Sequence, residues 1–180
     1  MSIKPEFFSN EIPIPVNVQI SKQENMIFTK GSFGSVNKDF TKMPVSIEIN
    51  EEKILIRSFG NRKKDFALVN TMRSVINNMI KGADKGFTYR LKIVFAHFPI
   101  SVKIKGQHVH IENFFGERSS RVAKIVGNDT KVTIQGDDII VTGPNLEFVS
   151  QTAANIESCT KIKNKDSRVF LDGVYIYSKE

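Results

Sequence analysis

The chain has 180 residues, 40% hydrophobic and 25% charged with no low-complexity block, which is room for one globular domain or two small ones. Against 19 Asp plus Glu stand 26 Lys plus Arg, and the net charge of +7 favours a polyanionic partner, nucleic acid before an acidic membrane surface. Cys159 is the only cysteine, so an intramolecular disulfide is excluded; no apolar run nears the ~18 residues of a bilayer span, and the opening residues lack a secretory signal's apolar core. The expectation is a soluble intracellular protein with no membrane partner.

In chain order, residues 1–13 hold two prolines and no clean period, which reads as an extended lead-in. Strands are predicted at 16–20 and 26–29, then a turn at Gly31-Ser32-Phe33-Gly34-Ser35. A hairpin follows at 46–57, with Ile47 and Ile49 on one face, Ile54 and Ile56 on one face, and Glu51-Glu52 near its turn. Leu68, Val69, Met72, Val75, Ile76, Met79 and Ile80 recur at the spacing of an amphipathic helix, with Gly82 as its predicted stop. Further strands are predicted near 89–96, 100–105 and 108–113, and Gly116 stands where Gly34 stood. A hairpin at 131–142 runs into Gly143-Pro144-Asn145, with Asn145 as a candidate N-cap. Leu146, Val149, Ala153, Ile156 and Thr160 form a second, narrower helical stripe, and a last edge strand follows Gly173.

This order is a duplication. Residues 46–56 align with residues 131–141 as strand, short polar turn and strand, and Val16, Val18 and Ile20 are set against Ile100, Val102 and Ile104. A period of roughly 80 to 85 residues is too long for a solenoid unit and suits one small domain. The fold class expected is α+β: two tandem duplicated domains, residues 1–87 and 88–180, each a small, mostly antiparallel sheet packed against a helix.

Catalytic and metal motifs find no support. His108 and His110 point to one face of a strand and could begin a zinc site, but nothing nearby completes four ligands. His97 beside Phe98-Pro99 suits a packed or hydrogen-bonded role, and Cys159 an inert thiol within the second helix. No phosphate loop or dinucleotide fingerprint occurs. Glu51-Glu52 and Asp137-Asp138 sit at equivalent hairpin tips, where solvated turns are expected. No cofactor is implied.

The halves carry 13 basic against 9 acidic residues (1–88) and 13 against 10 (89–180), so position, not net charge, distinguishes them. Cations cluster at Arg62-Lys63-Lys64, at Arg118, Arg121 and Lys124 in one predicted loop, and at Lys161, Lys163, Lys165 and Arg168 after the second helix. A helix C-terminus attracts cations by roughly 0.3 to 1 kcal/mol each, which accounts for part of the last cluster. The functional reading has these side chains on phosphates, with Asn61, Gln107 and Asn164 hydrogen-bonding backbone or 2′-hydroxyl groups. Phe33, Phe114 and Phe115 suit either base stacking or packing.

Six motifs in order identify the chain more closely: Gly60-Asn61-Arg62-Lys63, Asn78-Met79-Ile80-Lys81-Gly82, Gly86-Phe87 with Tyr89, Ala96-His97-Phe98-Pro99-Ile100, Asn113-Phe114-Phe115-Gly116-Glu117-Arg118, and Lys163-Asn164-Lys165-Asp166 with Phe170-Leu171-Asp172-Gly173-Val174-Tyr175. Together they resemble the L-six family of large-subunit ribosomal proteins, called L-nine in eukaryotes, in its eukaryotic and archaeal branch. The resemblance implies a duplicated structural protein of the cytosolic large ribosomal subunit with no enzymatic role. It implies binding to large-subunit rRNA near the stalk base and the sarcin–ricin region, chiefly through the C-terminal domain. Implied partners are that rRNA, neighbouring proteins near the stalk base and, indirectly, translational GTPases, with the chain a monomer within the ribosome. By the same resemblance Lys161, Lys163, Asn164, Lys165 and Arg168 lead as rRNA contacts, then the Gly116-Glu117-Arg118 turn and Arg121, then Asn61, Arg62 and Lys63; Lys124 joins the candidate contacts from its place in the basic cluster. Two departures stand out: Ser58-Phe59 where relatives often carry a Trp pair, and Gly31-Ser32-Phe33-Gly34 where a Gly-Pro-basic-Gly turn is usual. The rival readings are a freestanding RNA-binding module and a metal-dependent hydrolase built on His108 and His110.

Overall fold

The computed structural model describes residues 7–50, 52–96, 98–163, 165–166 and 168–180. The sequence features at Glu51, His97 and Asn164 lie outside the described residues. The chain forms two compact units, one ending at Gly86 and the other beginning at Phe87.

The first unit runs β1 (Ser9–Pro13), β2 (Gln19–Gln23), β3 (Met26–Lys30), β4 (Ser35–Asp39), β5 (Val45–Ile49), β6 (Lys53–Ser58) and α1 (Lys63–Asp84). Two three-stranded sheets result, ordered β2-β3-β4 and β1-β6-β5, with antiparallel pairing throughout. Alternation explains the burial: Ile54 and Ile56 on β6 are fully buried while Leu55 and Arg57 beside them are not. α1 lays Val69, Met72, Ile76 and Met79 onto that core with Ile12 and Ile27. Full burial of each such side chain is worth about 1.5–3 kcal/mol.

The second unit runs β7 (Phe87–Val94), β8 (Ser101–Lys105), β9 (His108–Glu112), a 3₁₀ turn (Phe114–Gly116), β10 (Arg121–Lys124), β11 (Lys131–Gln135), β12 (Asp138–Gly143), α2 (Leu146–Cys159) and β13 (Gly173–Lys179). Its sheets are β8-β9-β10 and β11-β12-β7-β13, again antiparallel. Val149, Ala153 and Ile156 of α2 close a second core with Leu91, Ile139 and Val141. Asn145 is the N-cap, its side chain accepting from the Glu147 N–H at 2.9 Å.

The duplication is visible in register. β5-β6 and β11-β12 match strand for strand, as the aligned segments require, and β2-β3-β4 matches β8-β9-β10. Within the latter the sequence alignment is two residues out of step. Register sets Val18 against Ile100 and Ile20 against Val102; Val16 is wholly exposed and Val18 buried. A slip of two preserves the side-chain face, which is why alternation alone does not expose it.

Three strands differ from expectation. β1 lies in the segment read as an extended lead-in, β4 has no counterpart among the predicted elements, and β10 replaces part of the predicted basic loop. Nor does α1 stop at Gly82, which is buried inside the helix; the chain leaves the helix after Asp84 and turns at Gly86, φ +75°. The Gly31–Gly34 turn supplies the cap. Phe33 N–H donates to Ala83 O (2.9 Å) and the Ser32 hydroxyl to Asp84 O (2.6 Å), satisfying carbonyls left open at the helix end.

Candidate nucleic-acid interface

The loop from Thr160 to Asp172 joins α2 to β13, and both its ends are fastened. Thr160 Oγ1 accepts from the Val174 N–H (3.0 Å), and buried Asp172 accepts from the Ala96 N–H (2.8 Å). Between them Lys161, Lys163, Lys165 and Arg168 carry the positive charge, and Lys161, Lys163 and Lys165 are exposed. Lys165 Nζ lies 5.0 Å from the Phe170 ring centroid and 5.8 Å from that of Phe115. Arg168 pairs with Asp166 at 3.3 Å, its side chain open to solvent, and the hydrogen bonds from Arg168 hold that carboxyl below its ordinary pKa.

The 3₁₀ turn beside it is unusual backbone. Asn113 (φ +61°), Phe115 (φ +52°) and Gly116 (φ +71°) all take left-handed conformations, and only the last is glycine. Phe114 is buried, and Phe115 meets both Phe114 and Phe170 edge-on, at 4.8 and 5.7 Å between centroids. These two rings therefore pack. Phe33 is half-exposed, with one edge of its ring in the space a side chain at Gly86 would fill.

Arg118 is exposed, while Arg121 faces inward from β10. Arg121 Nε and Nη2 donate to the two carboxylate oxygens of Glu117 (2.9 and 2.6 Å), and Nη1 donates to the carbonyls of Cys159 (2.9 Å) and Lys161 (3.3 Å). Four donations engage a group with five N–H bonds, and its face lies 4.2 Å over the Phe114 ring. The ion pair lowers the Glu117 pKa and raises that of Arg121. Arg121 thus joins the end of the Gly116–Ser120 loop to the start of the Lys161–Arg168 loop. Its carbonyl partners are 38 and 40 residues away, so no local pattern in the sequence discloses this link. Lys124 faces outward with Val122.

Asn61, Arg62 and Lys63 are exposed in the first unit, where Arg62 is the N-cap of α1 and its N–H donates to Asp65 Oδ2 at 3.0 Å. Cations here oppose the helix dipole, so helix stability does not account for them.

The chemistry available is cationic and hydrogen-bonding. His108 and His110 share a strand face, with Val109 and Ile111 buried behind them, and among the described residues no three His, Cys, Asp or Glu side chains group to hold a metal. Burial pushes the Cys159 thiol up to about 11, which leaves it protonated and inert at neutral pH. No helix among the described residues is long and apolar enough to cross a membrane.

Comparison with known proteins converges on one family. The family model described as "Ribosomal protein L6" matches twice, over residues 14–86 and 98–173. The chain is 48% identical over 168 residues to a protein of Methanosphaera stadtmanae, covering 93% of this chain and 91% of the relative. It is 46% identical to one of Staphylothermus marinus (97% and 96% covered) and 47% identical to one of Saccharolobus solfataricus (94% and 94%). Each of the three is called large ribosomal subunit protein uL6.

Proposed function

Since the chain belongs to the ribosomal protein L6 family, in its archaeal branch, we propose that it is a structural constituent of the large ribosomal subunit and binds that subunit's rRNA near the stalk base and the sarcin–ricin region. The role is structural, not enzymatic. It works in the cytosol as a monomer within the ribosome, beside other large-subunit proteins, and supports translational GTPases indirectly, by holding rRNA in shape.

One observation carries the assignment of the face: Lys161, Lys163, Lys165 and Arg168 lie on a loop whose backbone is tied down at both ends and clasped by Arg121. Fastening a loop at its ends lowers the entropy it loses on meeting phosphates. The second unit is accordingly the main rRNA-binding half, with Arg118 completing the surface, Asn164 a further contact implied by the family resemblance, and Asn61, Arg62 and Lys63 a secondary site. Recognition is by phosphate position and shape, as folded RNA requires. Arg121 serves this surface by positioning it.

The test is assembly. With Lys161→Glu, Lys163→Glu and Lys165→Glu combined, the isolated protein keeps its circular dichroism and melting profile but fails to enter large subunits on sucrose gradients. Normal incorporation of the folded triple variant overturns the assigned face, and a wild-type pool bound to RNA away from ribosomes overturns the ribosomal reading.

A further inference from the structure

The outward face of β8-β9-β10 carries a second cluster of cations, apart from the loop surface. Register places Lys105 opposite His108 and His108 opposite Lys124, forming one row across three strands; the next row is Lys103, His110 and Val122. Their strand neighbours Val109, Ile111 and Ala123 point the other way and are buried. Adjacent strands are about 4.8 Å apart, so Lys105 and Lys124 leave the sheet roughly 10 Å from each other with His108 between. Among the described residues, Glu112 is the only acidic side chain in the register of this face. It is taken by Lys103 at 2.6 Å, and the fields of Lys105 and His110 add to the lowering of its pKa.

Folding does not call for this arrangement. Two lysines about 10 Å apart on one face repel weakly and gain nothing from each other, and the first unit shows that the scaffold manages without them. There the row matching Lys105–His108–Lys124 is Gln23–Met26–Asp39, and the row matching Lys103–His110–Val122 is Ser21–Phe28–Asn37. The same three strands in the same register thus carry a near-neutral face in one unit and a basic face in the other.

We propose that the outward face of β8-β9-β10 is a distinct binding surface for the RNA phosphate backbone, with Lys105 and Lys124 on phosphates and His108 hydrogen-bonding between them. A broad, shallow, cationic sheet face suits the wide minor groove of an A-form helix, whose phosphates and 2′-hydroxyls are accessible without unpairing. The inference rests on the rRNA-binding reading above and adds a second site to it.

The experiment uses the full chain and rRNA extracted from purified large subunits, with affinity measured by filter binding across a salt series. The double variant Lys105→Gln/Lys124→Gln leaves the Lys103–Glu112 pair in place and, changing only exposed side chains, does not lower the melting temperature. It is expected to weaken binding about tenfold or more and to reduce the log–log salt slope by about two, one for each phosphate no longer neutralised. Unchanged affinity and slope, with the Lys161/Lys163/Lys165 variant still impaired, overturns the sheet-face site and leaves the rRNA-binding reading standing. Unchanged binding by both variants overturns both. If the double variant binds extracted rRNA normally but fails to enter subunits, the face meets an acidic protein neighbour and the RNA assignment is overturned.

Discussion

Arg121 and Glu117 form a two-pronged ion pair, Nε to Oε2 at 2.9 Å and Nη2 to Oε1 at 2.6 Å, with both side chains about one-third exposed. The planar guanidinium makes this pair and two carbonyl bonds at once, which a lysine ammonium cannot match. Arg121→Lys is therefore expected to cost about 1–2 kcal/mol in a denaturant melt. It should also weaken rRNA binding while leaving the salt slope unchanged, because a positioning residue takes no phosphate with it. A slope reduced by about one would instead make Arg121 a phosphate contact.

Glu117 gives this pair a pH signature. Its folded-state pKa is depressed by Arg121, so its contribution is present above the unfolded carboxyl pKa of about 4.3 and is lost as pH falls through the lower folded value. Wild type is accordingly more stable than Glu117→Gln at pH 7, and the gap closes progressively below about pH 4. Paired thermal melts across the acid range up to neutrality check this; a gap independent of pH rules out the charged pair as its source.

How far the sequence discloses such features depends on whether their causes are local. α1 is legible because Val69, Met72, Ile76 and Met79 repeat on one helical face, and the β5-β6 and β11-β12 hairpins because Ile47/Ile49, Ile54/Ile56, Val132/Ile134 and Ile139/Val141 alternate with other residues. β4 is not, since Ser35-Val36-Asn37-Lys38-Asp39 has a single buried apolar residue and no visible period. β10 is hidden by Arg121, a charged residue on the inward face that pattern reading assigns to solvent. Gly82 misleads because helix stops are commonly glycine, whereas here a glycine packs inside the helix and Gly86 makes the turn. The Lys161–Arg168 cluster can be read directly, but the clasp beneath it, and the joining of Lys103, Lys105 and Lys124 on one face, come from strand pairing and long-range hydrogen bonds.

Gly31 is a place where tertiary approach, not the turn itself, demands glycine. A Cβ there would lie 2.5 Å from the Ala83 carbonyl oxygen and 2.7 Å from its carbon, both backbone atoms of α1. Neither can move without disturbing the cap that Phe33 and Ser32 make. Gly31→Ala should destabilise the first unit by about 2 kcal/mol or more, measured by denaturant unfolding. Ser32→Ala, which removes one capping bond without a clash, should cost less, about 0.5–1.5 kcal/mol. The reverse ranking would show that the close approach is not what fixes glycine there.

Phe115 is held at φ +52°, a conformation that aromatic residues rarely adopt, by its edge-on contacts with Phe114 and Phe170. Those contacts link the 3₁₀ turn to the cationic loop, and Lys165 lies over both Phe115 and Phe170. Phe115 is only partly buried, and alanine keeps the Cβ that makes φ +52° unfavourable, so truncation removes partial packing and leaves the backbone strain in place. The global stability loss for Phe115→Ala is therefore expected to stay near 1–2 kcal/mol, below the usual cost of deleting a core phenylalanine. The local effect should be larger, because Phe170 and Lys165 lose their partner together. Limited trypsin digestion reads this directly, since Lys161, Lys163, Lys165 and Arg168 are all cleavage points within the loop. Cleavage there should rise severalfold under conditions in which the rest of the variant stays folded, and rRNA affinity should fall with an unaltered salt slope. If the cleavage rate of the loop stays at the wild-type level, the fastenings at Thr160, Asp172 and Arg121 order it without the aromatic contacts.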